Sequence, residues 1–237
     1  MSTNYVTLVN KVLVRLNEVP LSTAGDDFDS VRNVQALAKE AVNSSIRLIV
    51  QDAQEWPFLK QTYTQVLSAG TRTYDFPSDY SSVDWDTFYI KQLGSRLNLP
   101  TTLKPISFEE YTQLHRTRDD TGDQTGEGAP DTVYQTYGSS FGVTPIPDDS
   151  YEVEYVYWKF PDDLVLYDDV CIIPSRFDHV IVEGAMMFMM RFRSNEQSAA
   201  MHQSTFEDNI KAMRRILLDS ELHLRSTVIT RSSTWTI

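Results

Sequence analysis

Residues 151–160 read YEVEYVYWKF. Val153, Tyr155, Tyr157 and Lys159 alternate with Glu152, Glu154, Val156 and Trp158, so one face is aromatic and aliphatic while the other is mixed. A period of two with that division marks a strand in a half-exposed antiparallel sheet. Toward the N-terminus, Phe141 to Ile146, Val133 to Tyr137, Leu97 to Leu103 and Phe88 to Ile90 are further strand candidates. Tyr63, Gln65, Leu67 and the stretch Thr71 to Phe76 also read as extended, with Ala69-Gly70 as the turn between two strands. Ser107 is an N-cap for a short helix over Phe108 to Arg116. Thr117 to Asp131 holds five acidic residues and three glycines and reads as a loop.

Outside this β-rich stretch the period changes to 3.6. Tyr5, Leu8, Val9, Val12, Leu13 and Leu16 share one face of a helix over about 4–18, which Pro20 closes. Asp26 and Asp27 are cap candidates for a longer helix over about 28–55, ending at Trp56-Pro57-Phe58. After Pro174, a stripe of Phe177, Val180, Ile181, Gly184, Ala185, Phe188, Met189 and Phe192 predicts a helix over 176–193. Ala199, Phe206, Ile210, Met213, Leu217 and Leu224 predict another over 196–224. The fold class expected is α+β. The N- and C-terminal helices form a helical bundle, an antiparallel β-rich region at 59–160 is inserted between them, and 1–224 is a single domain. Residues 225–237, RSTVITRSSTWTI, stand apart as an extended C-terminal arm.

The 237 residues carry a formal net charge of −12 and a single cysteine, Cys171. One cysteine forms no intramolecular disulfide and no multi-thiolate metal site, which fits folding in a reducing cytoplasm. No apolar run reaches the roughly 18 to 20 residues of a membrane span, and the N-terminus does not read as a signal peptide. The acidic balance opposes gripping nucleic acid through its phosphates, yet an acidic wall lets a strand slide past. The charge disfavours a binder and permits a conduit.

Chemistry-bearing residues do not assemble into a site. The acidic pairs Asp26-Asp27, Glu109-Glu110, Asp119-Asp120, Asp148-Asp149, Asp162-Asp163 and Asp168-Asp169 suit turns and helix starts, because sequence neighbours rarely face one space from opposite sides. Asp119, Asp123 and Glu127 lack the spacing of a calcium loop. His115, His179, His202 and His223 form no metal motif with one another or with Cys171, and no nucleophile elbow or phosphate-binding glycine loop occurs. Met186-Met187 and Met189-Met190 read as core, and Trp56-Pro57-Phe58 as a packed helix terminus. No catalytic, cofactor-binding or metal-binding residue is assigned, and the chain is expected not to be an enzyme.

Residues 8–23, LVNKVLVRLNEVPLST, place a short amphipathic helix before a Pro-bearing Ser-Thr turn, and a long helix then ends at Trp56-Pro57-Phe58. Strands begin at Gln65-Val66-Leu67 and at Phe76-Pro77-Ser78-Asp79-Tyr80. Ile173-Pro174-Ser175-Arg176-Phe177 leads into a helical pair that Phe206 to Glu221 closes. In this order and punctuation the chain resembles the tail tubular protein A family, head-to-tail adaptors (connectors) of short-tailed phages, over roughly half its length. The resemblance implies a virion neck protein made in the host cytoplasm, without cofactor and without catalysis. It implies a homo-oligomeric ring of twelve subunits that binds the portal on one side and the tail nozzle on the other. DNA would pass through the lumen during ejection without specific binding, and no membrane is involved.

The C-terminal arm carries two arginines and no acid, whereas the body before it carries −14. Its β-prone and apolar residues gain more from a groove on a partner than from their own acidic body. Arg225, Val228, Ile229, Arg231, Trp235 and Ile237 are therefore the expected portal-binding residues. A virion-associated cell-wall hydrolase and another minor structural or head-completion protein are the competing readings.

Overall fold

The computed structural model describes residues 2–22, 28, 31–53, 55–93, 101–114, 116 and 127–218. In chain order the elements begin with β1 (Ser2–Asn4), α1 (Tyr5–Arg15) and α2 (Val34–Asp52). Next come β2 (Lys60–Leu67), β3 (Thr73–Asp75), β4 (Tyr80–Gln92), β5 (Thr101–Thr102), β6 (Lys104–Ile106) and α3 (Phe108–Leu114). β7 (Glu127–Gly128), β8 (Thr132–Gln135), β9 (Ser140–Thr144), β10 (Ile146–Pro147) and β11 (Tyr151–Lys159) follow. The described chain closes with β12 (Val170–Pro174), α4 (Asp178–Phe192) and α5 (Glu196–Leu217). The fold is mixed α+β, and the chain divides into two compact units, Met1–Phe58 with Asp163–Ile237, and Leu59–Asp162.

In the first unit α4 packs against α1, α2 and α5, and β1 pairs antiparallel with β12. α4 is apolar nearly all round: Val180, Ile181, Val182, Ala185, Met186, Met187 and Met189 are buried, as a helix enclosed on several sides requires. The methionine pairs are thus mainly core, as their spacing predicts. The α1 stripe is buried as expected, from Tyr5 to Leu16. α1 nevertheless stops at Arg15 rather than running to 18. Asn17 takes a left-handed φ of 57°, and the Asn17 and Glu18 amides turn back to the Val14 and Leu13 carbonyls, closing the helix before Pro20 is reached. The Asn10 side chain then accepts from the Leu21 amide and donates to its carbonyl, drawing the turn onto α1.

The same device ends α4. Ser194 has φ 55°, its amide and that of Asn195 return to the Arg191 and Met190 carbonyls, and Asn195 caps α5 through Ser198. α2 is shorter than the predicted 28–55. It starts after Asn33, at φ 52°, and ends at Asp52 because the Trp56 indole folds back to donate to the Ile49 carbonyl at 2.7 Å. Trp56 is fully buried and stacks on Phe58, so this motif is a packed helix terminus. The cap candidates Asp26 and Asp27, and residues 219–224 of the last predicted helix, lie outside the described residues.

The second unit consists mainly of two four-stranded sheets, ordered β2-β11-β4-β5 and β3-β9-β8-β6. β11 is the central strand of the first, with Tyr151, Val153, Tyr155 and Tyr157 buried as the alternation predicts and Trp158 buried as well. The strands on either side of Ala69-Gly70 do not pair with each other: β2 joins the first sheet and β3 the second. Two ladders depart from the antiparallel expectation, since β6 runs parallel to β8 and β10 parallel to β7. Both sheets contribute to one core of Leu67, Phe88, Phe141, Val153, Tyr155 and their neighbours. Phe88 stacks on Tyr155 at 4.7 Å, and Phe141 meets Phe76 at 5.1 Å.

Gly184 in α4 lies at a close approach of three helices. A Cβ there would overlap the Ser45 hydroxyl of α2 and the Phe206 ring of α5. Only glycine lets three helices approach so closely, and in a close-packed interior the neighbours have little room to yield. Gly184→Ala is expected to lower unfolding stability by about 1–3 kcal/mol in a denaturant titration. Adding Ser45→Gly should recover part of that loss.

Candidate interaction surfaces

The acidic pairs at 109–110 and 148–149 occupy the local structural roles their sequence context predicts. Glu109 and Glu110 lie in the first turn of α3, where the Ser107 hydroxyl accepts from the Glu110 amide. Asp148 accepts from the Tyr151 hydroxyl, while Asp149 accepts from the Ser150 amide and the Gln92 side chain. The Ser150 amide is the leading reason the Asp149 carboxyl is held below its usual range. Asp26-Asp27, Asp119-Asp120 and Asp123 lie outside the described residues. Among the described residues, no group of three or more His, Cys, Asp or Glu is placed to hold a metal ion. Burial pushes the Cys171 thiol up to about 11, which leaves little thiolate near neutral pH.

One histidine links three helices. His202 of α5 lies 2.7 Å from Glu183 of α4, and Arg15 of α1 pairs with the same carboxylate. Burial raises the Glu183 pKa, but the His202 and Arg15 hydrogen bonds outweigh it and hold the carboxyl below the usual range. The arrangement is a clamp between helices. His115, His223 and all six arm residues (Arg225, Val228, Ile229, Arg231, Trp235 and Ile237) lie outside the described residues.

What the sequence reading passed over is the segment 163–170, DLVLYDDV. Its backbone is anchored on every side. The Asn43 side chain of α2 holds both the amide and the carbonyl of Leu164. The Asp169 carboxylate accepts from the Val165 and Leu166 amides, each at 2.7 Å. The Tyr5 and Val6 amides at the start of α1 donate to the Asp169 and Tyr167 carbonyls. Arg47 grips Asp163 with two guanidinium nitrogens, and that hydrogen bonding holds the Asp163 carboxyl below its ordinary range. Despite this anchoring, Val165, Leu166, Tyr167 and Val170 are exposed. An ordered loop that points apolar side chains at water is shaped for a contact. The signal in the sequence was a four-residue apolar run between two acidic pairs, which turn formation alone does not require.

A second surface lies in the Leu59–Asp162 unit. Tyr137, predicted as the end of a strand, lies beyond β8 and is exposed, with its ring 5.0 Å from Phe108 of α3. One cleft beside this pair, of about 540 Å³, includes Trp85, Ile106, Glu110 and Gln135 in its lining. Another, of about 350 Å³, includes Arg72, Tyr111, Arg116 and Tyr134.

Ordered, exposed apolar side chains on an acidic body suit contact with another surface. Comparison with protein families gives the particular case: the family model described as SU10 adaptor protein matches residues 3–231. The chain belongs to the SU10 adaptor protein family, whose members are phage structural adaptors. The relation to phage adaptors expected from the sequence holds at this level. No curated protein matches the chain. No helix among the described residues is long and apolar enough to cross a membrane.

The anchoring of 163–170 makes a specific forecast. Asp169→Ala removes the carboxylate shared by two amides and is expected to cost about 1 kcal/mol, the usual worth of such a cap. In hydrogen exchange the Val165 and Leu166 amides should then exchange about tenfold faster or more, with the α4 amides unchanged.

Proposed function

We propose that this chain is one subunit of a head-to-tail adaptor ring in the neck of a phage virion, seated between the portal and the tail nozzle. Twelve copies surround the channel through which DNA leaves the head. The family match over residues 3–231 carries this reading, and the charge of the chain supports it. A net charge of −12 per copy repels phosphate, so DNA slides past without being held. Kinship with tail tubular protein A belongs to this proposal and rests on the order of helices, strands and punctuating prolines. So does the bundle formed by the terminal helices around the β-rich insertion.

The portal-binding segment in this proposal is the arm, through Arg225, Val228, Ile229, Arg231, Trp235 and Ile237. Burying the Trp235 and Ile237 side chains in a groove on the portal contributes roughly 2 to 3 kcal/mol each before ordering costs. A ring of such arms multiplies a modest individual affinity by avidity.

Like charge opposes packing identical subunits side by side, so the purified chain is expected to be monomeric at low salt. Rings should form when the portal is added, and more readily once salt screens the repulsion. Size-exclusion chromatography with and without portal reads this directly. Deleting residues 226–237 should abolish co-elution with the portal while leaving the circular dichroism spectrum of the body intact, and Trp235→Ala should weaken co-elution. A truncated protein that co-elutes unchanged would remove the arm from the contact. A stable dodecamer formed alone at low salt would remove the template role of the portal.

A further inference from the structure

Two apolar patches lie at opposite ends of α1 in the Met1–Phe58, Asp163–Ile237 unit. At the N-terminal end, the Tyr5 amide donates to the Asp169 carbonyl at 2.8 Å, which places there the anchored loop with Val165, Leu166 and Val170, exposed by 63%, 52% and 57%. At the C-terminal end, Glu18 pairs with Arg193 at 2.8 Å. Val19, exposed by 74%, and Phe192, exposed by 59%, adjoin the two members of that pair in sequence. α1 has 11 residues, so about 16 Å of helix separates the two ends.

The charges at the two ends are opposite. Around the loop, Arg47 answers Asp163 and Asp169 is engaged by backbone amides, while the Asp168 carboxylate is exposed. Around Phe192, Arg193 is answered by Glu18. Arg191 instead donates to the neutral Gln203 and forms no ion pair among the described residues. A symmetric loop-to-loop contact would set Asp168 against its own copy, whereas a head-to-tail contact sets Asp168 toward Arg191. Both patches are held by hydrogen bonds before any contact, so little ordering cost remains to be met on association.

We propose that the occupant of each patch is a second copy of this chain: the 165–170 loop of one copy seats on the Val19–Phe192 patch of the next. Such a contact is heterologous, leaves one free end at each step, and closes into a ring when the rotation per subunit allows. It rests on the ring reading above and names the surfaces that make the ring.

The test uses two full-length variants, each with one end disabled: Leu166→Glu and Phe192→Glu. Both positions are exposed, so both variants should retain the wild-type dichroism spectrum and melting. Sedimentation velocity over a concentration series, with and without portal, reads association. Each variant alone should associate at least tenfold more weakly than wild type. Mixed together, they should form a one-to-one dimer and nothing larger, because each still owns one intact end. As a second check, Asp168→Arg and Arg191→Glu should each weaken association, and the two combined in one chain should restore it. If wild type associates while the mixed variants do not pair, or if either variant builds rings as wild type does, this contact is wrong and the ring reading stands. If wild type forms no ring even with portal, the ring reading fails and this contact fails with it.

Discussion

The antiparallel ladder between β2 and β11, which sets Lys60 opposite Trp158 and Leu67 opposite Tyr151, is the constraint on which the rest of the chain depends. It brings the first and last strands of the Leu59–Asp162 unit side by side, so the chain enters and leaves that unit at neighbouring points. Only then can residues before 59 and after 162 belong to one compact unit. β11 also pairs with β4 on its other edge, and its inward residues Val153, Tyr155 and Tyr157 lie in the core shared by both sheets. One strand thus sets the register of the first sheet, helps fill the core, and returns the chain to the helices.

In the helical unit the comparable element is α4. It comes from the second half of the chain and packs against two helices from the first, α1 and α2. Gly184 sets how closely they approach. Ion pairs at its borders, Lys11 with Asp178 and Arg15 with Glu183, fix the alignment of α1 along α4. Partly exposed pairs of this kind contribute modestly to stability, and the buried apolar stripe contributes more. The pairs nevertheless fix which way each helix end points. That alignment places the 163–170 loop and the Val19–Phe192 patch at opposite ends of α1, so the packing of the core determines the spacing of the outer contacts.

Much of this was legible from residue spacing. The α1 stripe and the alternation in 151–159 depend on which face is buried, and burial is written in the local pattern. Where helices stop was less legible. Asn17, Asn33 and Ser194 adopt positive φ, a conformation with a small local cost that the surrounding hydrogen bonds decide. Which strands pair was not legible at all, because Thr73–Asp75 joins β9 rather than the adjacent β2, and such choices depend on contacts far apart in sequence. The 163–170 loop was hidden for a related reason. Its acidic pairs read as ordinary turn formers, and only the positions of Asn43, Arg47 and Tyr5 around it show that its apolar side chains are held outward. The arm was legible as a change of composition, with seven Ser or Thr and no acid in its thirteen residues.

In the proposed function an acidic body serves assembly, with opposed ends for its own copies, an arm for the portal, and a wall that DNA does not adhere to. Electron microscopy of the full-length protein bound to its portal tests this most directly. The account predicts closed rings coaxial with the portal, twelve subunits in each, with adjacent copies meeting end to end through the α1 unit and an open channel at the centre. Single copies scattered on the portal surface, or shells and sheets in place of rings, would contradict it.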